Sequence, residues 1–210
     1  MKSHRNYLYS VEYKLAKRIP SASKYRMAYV PEMEIKWFIN PKVGSTFLTQ
    51  ELGAHGSLII PGQHRVFDWN PLRNDWFSFA FVRHPVQRFL SCWQSKIFSD
   101  RHHIFGLSLE DAEAMRDLDV FIEFVEGKNL VTCDPHLSLQ TANMPVDQVS
   151  FVGRLESFSA DLKRLNNLTG LRINESLPAP NKTEKPPVSK EQISRIQRLY
   201  AADMNQFNYS

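Results

Sequence analysis

Three short and nearly continuous apolar runs divide the chain, at residues 35–40, 77–83 and 149–152. Runs of this length, without the polar alternation of a half-exposed strand, are typical of parallel strands that are buried on both faces. A shorter run at residues 58–60, closed by a Pro-Gly pair, is a candidate for a further strand. The pattern predicts an α/β fold with a central parallel β-sheet flanked by helices.

Apolar residues at helical spacing follow two of these runs and predict helices on the faces of the sheet. The first helix is expected over residues 46–52, with Gly53 as its end. The second begins at Pro85, because a proline in a first turn removes no hydrogen bond that the helix needs. Its apolar face is formed by Val86, Phe89, Leu90, Trp93 and Ile97. Two apolar runs therefore end at junctions between a strand and a helix.

Helices are also expected in the second half of the chain. Two lie between residues 108 and 125 and end at Gly127. Ser189 and Gln192 have the spacing of a capping box, and they begin a single last helix that extends to Phe207. The second half therefore adds helices to the faces of the sheet.

The remaining stretches predict irregular structure. Residues 1–34 are polar and hold two prolines, so we expect an irregular extension there. Residues 178–188 hold four prolines and predict an extended linker before the last helix. A chain of 210 residues with 42% hydrophobic content can bury one substantial core. The prediction is a single domain over residues 1–210.

The candidate chemistry is concentrated where the first two long runs end. The sequence Asn-Pro-Lys-Val-Gly-Ser-Thr at residues 40–46 follows the first run, and Arg-His-Pro at residues 83–85 follows the second. N–H groups at a helix N-terminus bind anions, and the helix dipole strengthens this binding. Two such junctions at the strand ends of one sheet suit a ligand with two separated phosphates. The two junctions together predict a site for such a ligand.

The first junction differs from the loop of nucleoside triphosphatases. That loop needs a glycine on each side and a lysine after the last one, because many N–H groups must surround two phosphates beside Mg²⁺. Here Lys42 precedes the single loop glycine, Gly44. A shorter loop can hold one phosphate and a neighbouring anionic group, with the ammonium of Lys42 beside them. The alternative is an ordinary capped helix, in which Ser45 and Thr46 bind no ligand and Lys42 is solvated.

The first junction resembles the 5′-phosphosulfate loop of sulfotransferases that use 3′-phosphoadenosine 5′-phosphosulfate (PAPS). The second, Val-Arg-His-Pro-x-x-Arg-x-x-Ser at residues 82–91, resembles the 3′-phosphate motif of the same enzymes. Its form is typical of Golgi-type carbohydrate sulfotransferases and their bacterial relatives. Val-Gly-Arg-x-Glu at residues 152–156, His-x-x-x-Gln at residues 136–140 and the C-terminal stretch from Asn181 also resemble segments of this family. The resemblance covers roughly residues 35–209.

The resemblance implies a P-loop-like sulfotransferase fold, PAPS as the sulfuryl donor, adenosine 3′,5′-bisphosphate as the product, and no metal. It assigns the 5′-phosphosulfate to the loop of Pro41, Lys42, Val43, Gly44, Ser45, Thr46 and Phe47. It assigns the 3′-phosphate to Arg83 and Ser91, since an arginine fork binds phosphate bidentately. Arg154 either reaches the nucleotide or pairs with Glu156. Arg88 is interpreted as a surface or ion-pairing residue.

Two histidines are candidates for the base that takes the proton of the acceptor hydroxyl. His64 lies between the two junctions in Gln-His-Arg-Val-Phe-Asp, which resembles the His-Val-x-Tyr-x-Asp-Phe stretch of uronyl 2-O-sulfotransferases, where the histidine is the base. His136 lies in the His-x-x-x-Gln match, which lacks the usual aromatic residue and proline. For each, the alternative is an ordinary surface or hydrogen-bonded histidine. The carboxylate of Asp68 is the next candidate.

Composition narrows the partners and the compartment. A net charge of +4 suits a polyanionic sulfuryl donor. The sequence has no basic run interleaved with aromatic residues, which is the pattern that would indicate nucleic-acid binding. No stretch approaches the roughly 18 apolar residues of a transmembrane helix, and the N-terminus lacks the apolar region of a secretory signal. We expect a cytoplasmic enzyme of bacterial type, or a Golgi-lumen enzyme if the chain is a trimmed catalytic domain. Of the two cysteines, Cys92 is expected to be a buried free thiol.

The sequence therefore predicts a metal-independent, PAPS-dependent sulfotransferase that acts on a hydroxyl of a carbohydrate or glycolipid. Another alcohol, such as a peptidyl tyrosine or a small metabolite, is the alternative acceptor. A catalytically inactive nucleotide-binding protein is the alternative from a different class. Acceptor specificity is expected in the loops at residues 1–34, 55–76, 98–108 and 130–147.

Overall fold

Four strands form one sheet in the computed structural model, which describes residues 25–54, 58, 75–99, 102–176 and 187–210. They are β1 (Met27–Val30), β2 (Ile35–Phe38), β3 (Phe77–Val82) and β4 (Phe151–Arg154), side by side in that order. β1 is antiparallel to β2, whereas β2, β3 and β4 are parallel to one another. The prediction of an α/β fold with a central, mostly parallel sheet is confirmed.

All three long apolar runs form strands, with shifted ends. β2 ends at Phe38 rather than at residue 40, and β4 begins at Phe151 rather than at residue 149. The prediction of an irregular extension over residues 1–34 is wrong for β1, which is buried and pairs with β2. Four apolar residues after a long polar segment are too short a pattern to indicate a strand by themselves. The candidate strand at residues 58–60 lies outside the described residues except for Leu58, which has no regular structure.

Helices flank the sheet, as the apolar pattern predicts. In the described residues they are α1 (Ser45–Ala54), α2 (Pro85–Ile97), α3 (Leu109–Ala114), α4 (Leu118–Glu126), α5 (Phe158–Thr169), α6 (Lys190–Leu199) and α7 (Ala201–Gln206). Pro85 begins α2, Gly127 follows α4, and Ser189 and Gln192 form the predicted capping box of α6. α5 is not among the predicted helices. None of the described helices is long and apolar enough to cross a membrane.

Two predicted helix ends are wrong. Gly53 lies inside α1, where it lacks the positive φ of a terminating glycine. The last predicted helix is two helices, because the chain breaks at Tyr200 between α6 and α7. The break turns Tyr200 inward: its side chain is 1% exposed, and its hydroxyl donates to the carbonyl of Leu137. The linker predicted at residues 178–188 lies outside the described residues except for its last two.

Alternation along the strands sends large side chains to both faces of the sheet. Trp37, Phe79 and Phe81 pack on the face that α1 and α5 cover, and the rings of Trp37 and Phe79 stack at 6.1 Å. Val82 packs on the opposite face. Gly153 in β4 lies against the Phe81 ring, where an added Cβ would come within 2.4 Å. This close packing fixes the positions of the ends of β3 and β4, where the candidate site begins.

Candidate functional site

The two predicted junctions meet at one edge of the sheet. The carboxyl ends of β2 and β3 lie side by side because these strands are parallel. Nη1 of Arg83, just after β3, donates to the carbonyl oxygen of Lys42, just after β2, at 3.4 Å. Nδ2 of Asn40 donates to the carbonyl of Phe81 at 3.0 Å and ties the first junction to β3. The structure therefore brings together the two junctions that the sequence predicted as phosphate sites.

The first junction has an unusual backbone. Lys42 has φ 70° and Gly44 has φ 81°, both in the left-handed region. Glycine adopts this region freely, whereas a non-glycine residue there costs about 1–3 kcal/mol and is often found at functional sites. The first hydrogen bond of α1 runs from the N–H of Leu48 to the carbonyl of Gly44 at 3.1 Å. The N–H groups of residues 45–47 precede it and have no acceptor among the described residues, so they form a donor set for an anion.

The side chain of Lys42 extends from the first junction to α2. Its Nζ donates to Oγ of Ser95 at 2.7 Å. Ser95 follows Ser91 by four residues, so the two hydroxyls lie on the same side of α2. Ser91 is partly exposed. The Lys42 ammonium therefore lies beside the helix face that carries the predicted 3′-phosphate serine.

Arg83 has a partly desolvated guanidinium with few protein partners. Burial lowers its pKa, the carboxylate of Glu156 opposes that effect, and the positive charge of Arg88 adds to it. Among the described residues, its side chain makes one hydrogen bond, the 3.4 Å contact with Lys42. A guanidinium has five N–H donors, so most of the donors of Arg83 remain for a ligand. An anion against Arg83 would offset the cost of its burial.

Arg154 binds the C-terminal segment. Its Nη2 donates to the carbonyl of Phe207, and its guanidinium carbon lies 4.7 Å from the centre of the Tyr209 ring. The alternative pairing of Arg154 with Glu156 is not among the ion pairs of the described residues. Glu156 instead accepts the backbone N–H of His84 at 2.7 Å and the hydroxyl of Tyr209 at 3.1 Å. The C-terminal segment is thus attached to the residues that follow both β3 and β4.

His136 forms a dyad with Asp134. Oδ1 of Asp134 lies 2.8 Å from Nδ1 of His136 and also accepts the backbone N–H of His136 at 2.8 Å. The carboxylate keeps the proton of the neutral ring on Nδ1, which leaves Nε2 as the proton acceptor. Burial lowers the pKa of His136, the hydrogen bond that its ring donates to the Asp134 carboxylate opposes that effect, and the charge of Lys96 adds to it. His136 is therefore neutral near pH 7 and has the arrangement of a general base.

Arg88 connects the first junction to the loop that holds this dyad. Its side chain is 1% exposed. Its side chain donates three hydrogen bonds to carbonyl oxygens: Nε to Pro41 at 3.2 Å, Nη1 to Ser138 at 2.8 Å and Nη2 to Pro135 at 2.6 Å. The interpretation of Arg88 as a surface or ion-pairing residue is wrong, since its partners are buried carbonyls. Because one guanidinium holds the residue before Lys42 and the residues around His136, it keeps the two parts of the site together.

Some residues of the site were not predicted from the sequence. Ser95, the partner of Lys42, could have been found from its spacing with Ser91 on one helix face. Asp134 could have been found from its place two residues before His136. Asp203 binds the loop at Gln140 from 63 residues away, and no local pattern indicates such a contact. His64 and Asp68 lie outside the described residues.

Among the described residues, both cysteines are free thiols and no cluster of metal-ligating side chains is present. Cys92 is a buried free thiol, as predicted, and burial raises its pKa to about 12. Within the described ranges, no group of three or more His, Cys, Asp and Glu side chains is arranged to hold a metal ion. Lys42, Arg83 and Arg88 carry positive charges at this edge of the sheet.

Comparison with known proteins adds one finding. The sequence profile of the Sulfotransferase family matches residues 62–210, which is more than two thirds of the chain. The match includes the second junction, His136 and Arg154, whereas the first junction precedes it. No curated protein and no solved structure matches the chain. The first junction, at residues 40–46, therefore lies outside the residues that the family profile covers.

Proposed function

This chain belongs to the sulfotransferase family, and from that premise we propose that it moves the sulfuryl group of PAPS to a hydroxyl of a carbohydrate or glycolipid. One observation carries the proposal. The hydrogen bond from Arg83 to the carbonyl of Lys42 joins the two junctions, and this contact supports two neighbouring anion sites. A donor with phosphates at its 3′ and 5′ positions requires two such sites within the length of one nucleotide.

The first junction suits the 5′-phosphosulfate. The N–H groups of residues 45–47 and the hydroxyls of Ser45 and Thr46 would bind its oxygens, and Gly44 permits the turn. Three further residues of the predicted set shape this loop: Val43 is buried, Phe47 packs against Phe158, and the Pro41 carbonyl is held by Arg88. Lys42 supplies the positive charge.

The second junction suits the 3′-phosphate. Arg83 offers most of its donors to a ligand, and the partly exposed Ser91 lies in α2, which follows Arg83. Arg154 would support this part of the site from its rim, because it holds Tyr209, whose hydroxyl binds Glu156 beside Arg83. A 3′-phosphate is the group that distinguishes PAPS from ordinary adenine nucleotides.

In the proposed transfer the acceptor oxygen bonds to sulfur while the bond from sulfur to the bridging phosphate oxygen breaks. PAPS supplies the sulfuryl group, and adenosine 3′,5′-bisphosphate is the leaving group. The ammonium of Lys42 would offset the charge that grows on the bridging oxygen, which is largest in the transition state. We propose a metal-independent reaction, because Lys42 and the N–H groups at the start of α1 would offset that charge without a metal ion.

The remaining role is that of the base that takes the proton of the acceptor hydroxyl. Of the two predicted histidines, His136 is favoured by its dyad with Asp134 and by a lowered pKa, which keep Nε2 ready for the proton of the hydroxyl. Arg88 links its loop to the carbonyl before Lys42. His64 is the second candidate, on its sequence resemblance alone.

The carbohydrate or glycolipid acceptor rests on the form of the second motif, Arg-His-Pro-x-x-Arg-x-x-Ser. A different alcohol, such as a peptidyl tyrosine, fits the same transfer chemistry and would be found by an acceptor screen.

Calorimetric titration with three nucleotides tests the donor assignment. Adenosine 3′,5′-bisphosphate should bind at least about tenfold more tightly than 5′-AMP, because only the bisphosphate engages Arg83. Arg83→Ala should weaken bisphosphate binding by about 10–150-fold and leave AMP binding nearly unchanged. The exposed Arg116, which pairs with Glu113, provides the matched control Arg116→Ala. ATP with Mg²⁺ binding as tightly as the bisphosphate would overturn the assignment.

A further inference from the structure

The side chain of Gln140 binds the backbone of Arg83 at both of its polar groups. Oε1 of Gln140 accepts the N–H of Arg83, and Nε2 donates to the carbonyl of Arg83, each at 2.9 Å. Gln140 is completely buried. Because β3 ends at Val82, Arg83 is the first residue beyond the strand pairing. The amide of Gln140 therefore does for Arg83 what a neighbouring strand does for residues inside β3.

Asp203 in α7 holds Gln140 in place. The buried carboxylate of Asp203 accepts the backbone N–H of Gln140 at 2.7 Å, and Nε2 of Gln140 lies 3.5 Å from it. The Asp203 carboxylate also accepts the N–H and the hydroxyl of Thr141, both at 3.0 Å. A buried carboxylate that depends on these donors cannot move without leaving its charge unpaired, so it is a rigid anchor. The contacts run from α7 through Gln140 to Arg83.

The direction of the Arg83 guanidinium depends on this backbone. Its only side-chain hydrogen bond within the described part of the chain is the long contact with Lys42. Bidentate binding of a phosphate requires the guanidinium to be placed within a fraction of an ångström. Since the side chain has little else to hold it, the fixed backbone of residue 83 determines where the guanidinium can reach.

We propose that Gln140 is a positioning residue for the 3′-phosphate: with Asp203 as its anchor, it holds the backbone of Arg83 and thereby sets the selectivity for 3′-phosphorylated nucleotides. The inference rests on the proposed function, because it takes Arg83 as the 3′-phosphate ligand. In this proposal Gln140, which is completely buried, acts through Arg83 and does not bind the phosphate itself. The spacing between His136 and Gln140 then has a physical meaning, since one loop carries the base and the residue that positions Arg83.

Gln140→Met tests the inference, because it keeps the approximate length of the side chain and removes both hydrogen bonds to Arg83. Calorimetry with adenosine 3′,5′-bisphosphate and 5′-AMP measures the ratio of the two affinities. We expect bisphosphate affinity to fall roughly tenfold and AMP affinity by less than about twofold. Gln140→Glu keeps the acceptor for the Arg83 N–H, loses the donor and brings a second carboxyl group close to Asp203, so it should reduce the ratio in the same direction. It also serves as the test if the methionine variant does not fold.

Asn166 offers a matched control at the far end of α5. Its side-chain amide binds the N–H and the carbonyl of Ile173 at 3.1 and 2.9 Å, which is the same pair of bonds that Gln140 makes with Arg83. Asn166→Leu should lower stability and leave the ratio of the two affinities unchanged. An equal change of the ratio in the Asn166 and Gln140 variants would overturn the inference, because the effect would then follow general stability.

A double-variant cycle shows whether Gln140 acts through Arg83. In the Arg83→Ala background, Gln140→Met should change bisphosphate affinity by less than about twofold, because the group that it positions is already absent. Losses that add fully would overturn the inference. A parent protein without preference for the bisphosphate would instead refute the proposed function. If the parent and Arg83→Ala behave as expected but Gln140→Met keeps the preference, only the role of Gln140 is refuted.

Discussion

Arg88→Met removes the guanidinium that joins the first junction to the loop of His136. In the parent protein this group is almost completely buried and donates to three carbonyl oxygens at 2.6, 2.8 and 3.2 Å. A charge-assisted bond of this kind contributes about 1.5–3 kcal/mol, and an unpaired buried carbonyl costs about 1–3 kcal/mol. Methionine fills much of the volume and recovers part of the loss. We expect the free energy of unfolding to fall by about 3–5 kcal/mol.

Equilibrium unfolding in urea, followed by circular dichroism, measures this loss. The corresponding fall in melting temperature is roughly 10 °C for a chain of this size. Arg88→Lys retains the charge without the fork, so it should lose about 2 kcal/mol. Arg195→Met is the matched control: Arg195 also makes three hydrogen bonds, at 2.8, 2.9 and 3.1 Å, but its partners are the surface carboxylates of Glu126 and Asp119. Its loss should be far smaller, because solvent screens surface ion pairs.

We expect the loss of stability to depend on burial and not on the number of hydrogen bonds. Equal destabilisation by Arg88→Met and Arg195→Met would therefore refute it. The methionine variant should also bind adenosine 3′,5′-bisphosphate more weakly, because the carbonyl of Pro41 is no longer held and the backbone before Lys42 can move. Parent-like affinity in a destabilised variant would show that Arg88 supports the fold without ordering the first junction.

Two further predictions concern His136 and Gly153. Because burial lowers the pKa of His136, turnover should fall only below about pH 6.5, and His136→Ala should reduce turnover by about 10²–10⁴-fold with bisphosphate affinity retained. A pH–rate profile of the parent and of His136→Ala checks this. If His136→Ala is active and His64→Ala is inactive, the base is His64. Gly153→Ala brings a Cβ within 2.4 Å of the Phe81 ring and should lower the free energy of unfolding by about 1–3 kcal/mol. Adding Phe81→Leu should restore part of this loss, because it removes the ring atoms that the new Cβ meets. Urea unfolding measures it, and a fully stable Gly153→Ala would contradict the close packing of β4 on β3.

The position of the site could be predicted from the sequence. Parallel strands that are buried on both faces leave continuous apolar runs, so their ends are visible without a structure. The residues after such ends, Lys42 and Arg83, then fall on one edge of the sheet, because parallel strands point the same way. The contact between them at 3.4 Å follows from this topology. Local order and strand direction were sufficient to locate the two junctions.

The supports of the site could not be predicted in the same way. Arg88 has the spacing of a helix-surface residue, and only the fold shows that its partners are carbonyls of two separate loops. Gln140 and Asp203 are 63 residues apart and meet because the chain breaks at Tyr200 and turns α7 toward the loop. β1 forms through its pairing with β2 and not through a pattern of its own. Each of these features depends on contacts between distant segments.

We propose that this site transfers a sulfuryl group from PAPS, and PAPS labelled with ³⁵S provides the test. Incubation with a panel of hydroxyl-bearing carbohydrates and glycolipids should move the label to an acceptor and release adenosine 3′,5′-bisphosphate in equal amount, with or without a metal chelator. Lys42→Ala should lower the rate far more than it weakens bisphosphate binding, because its partner charge is largest in the transition state. Label that stays on PAPS with every carbohydrate, glycolipid, tyrosine peptide and small alcohol would contradict the account, as would a Lys42 variant that loses affinity and keeps full turnover.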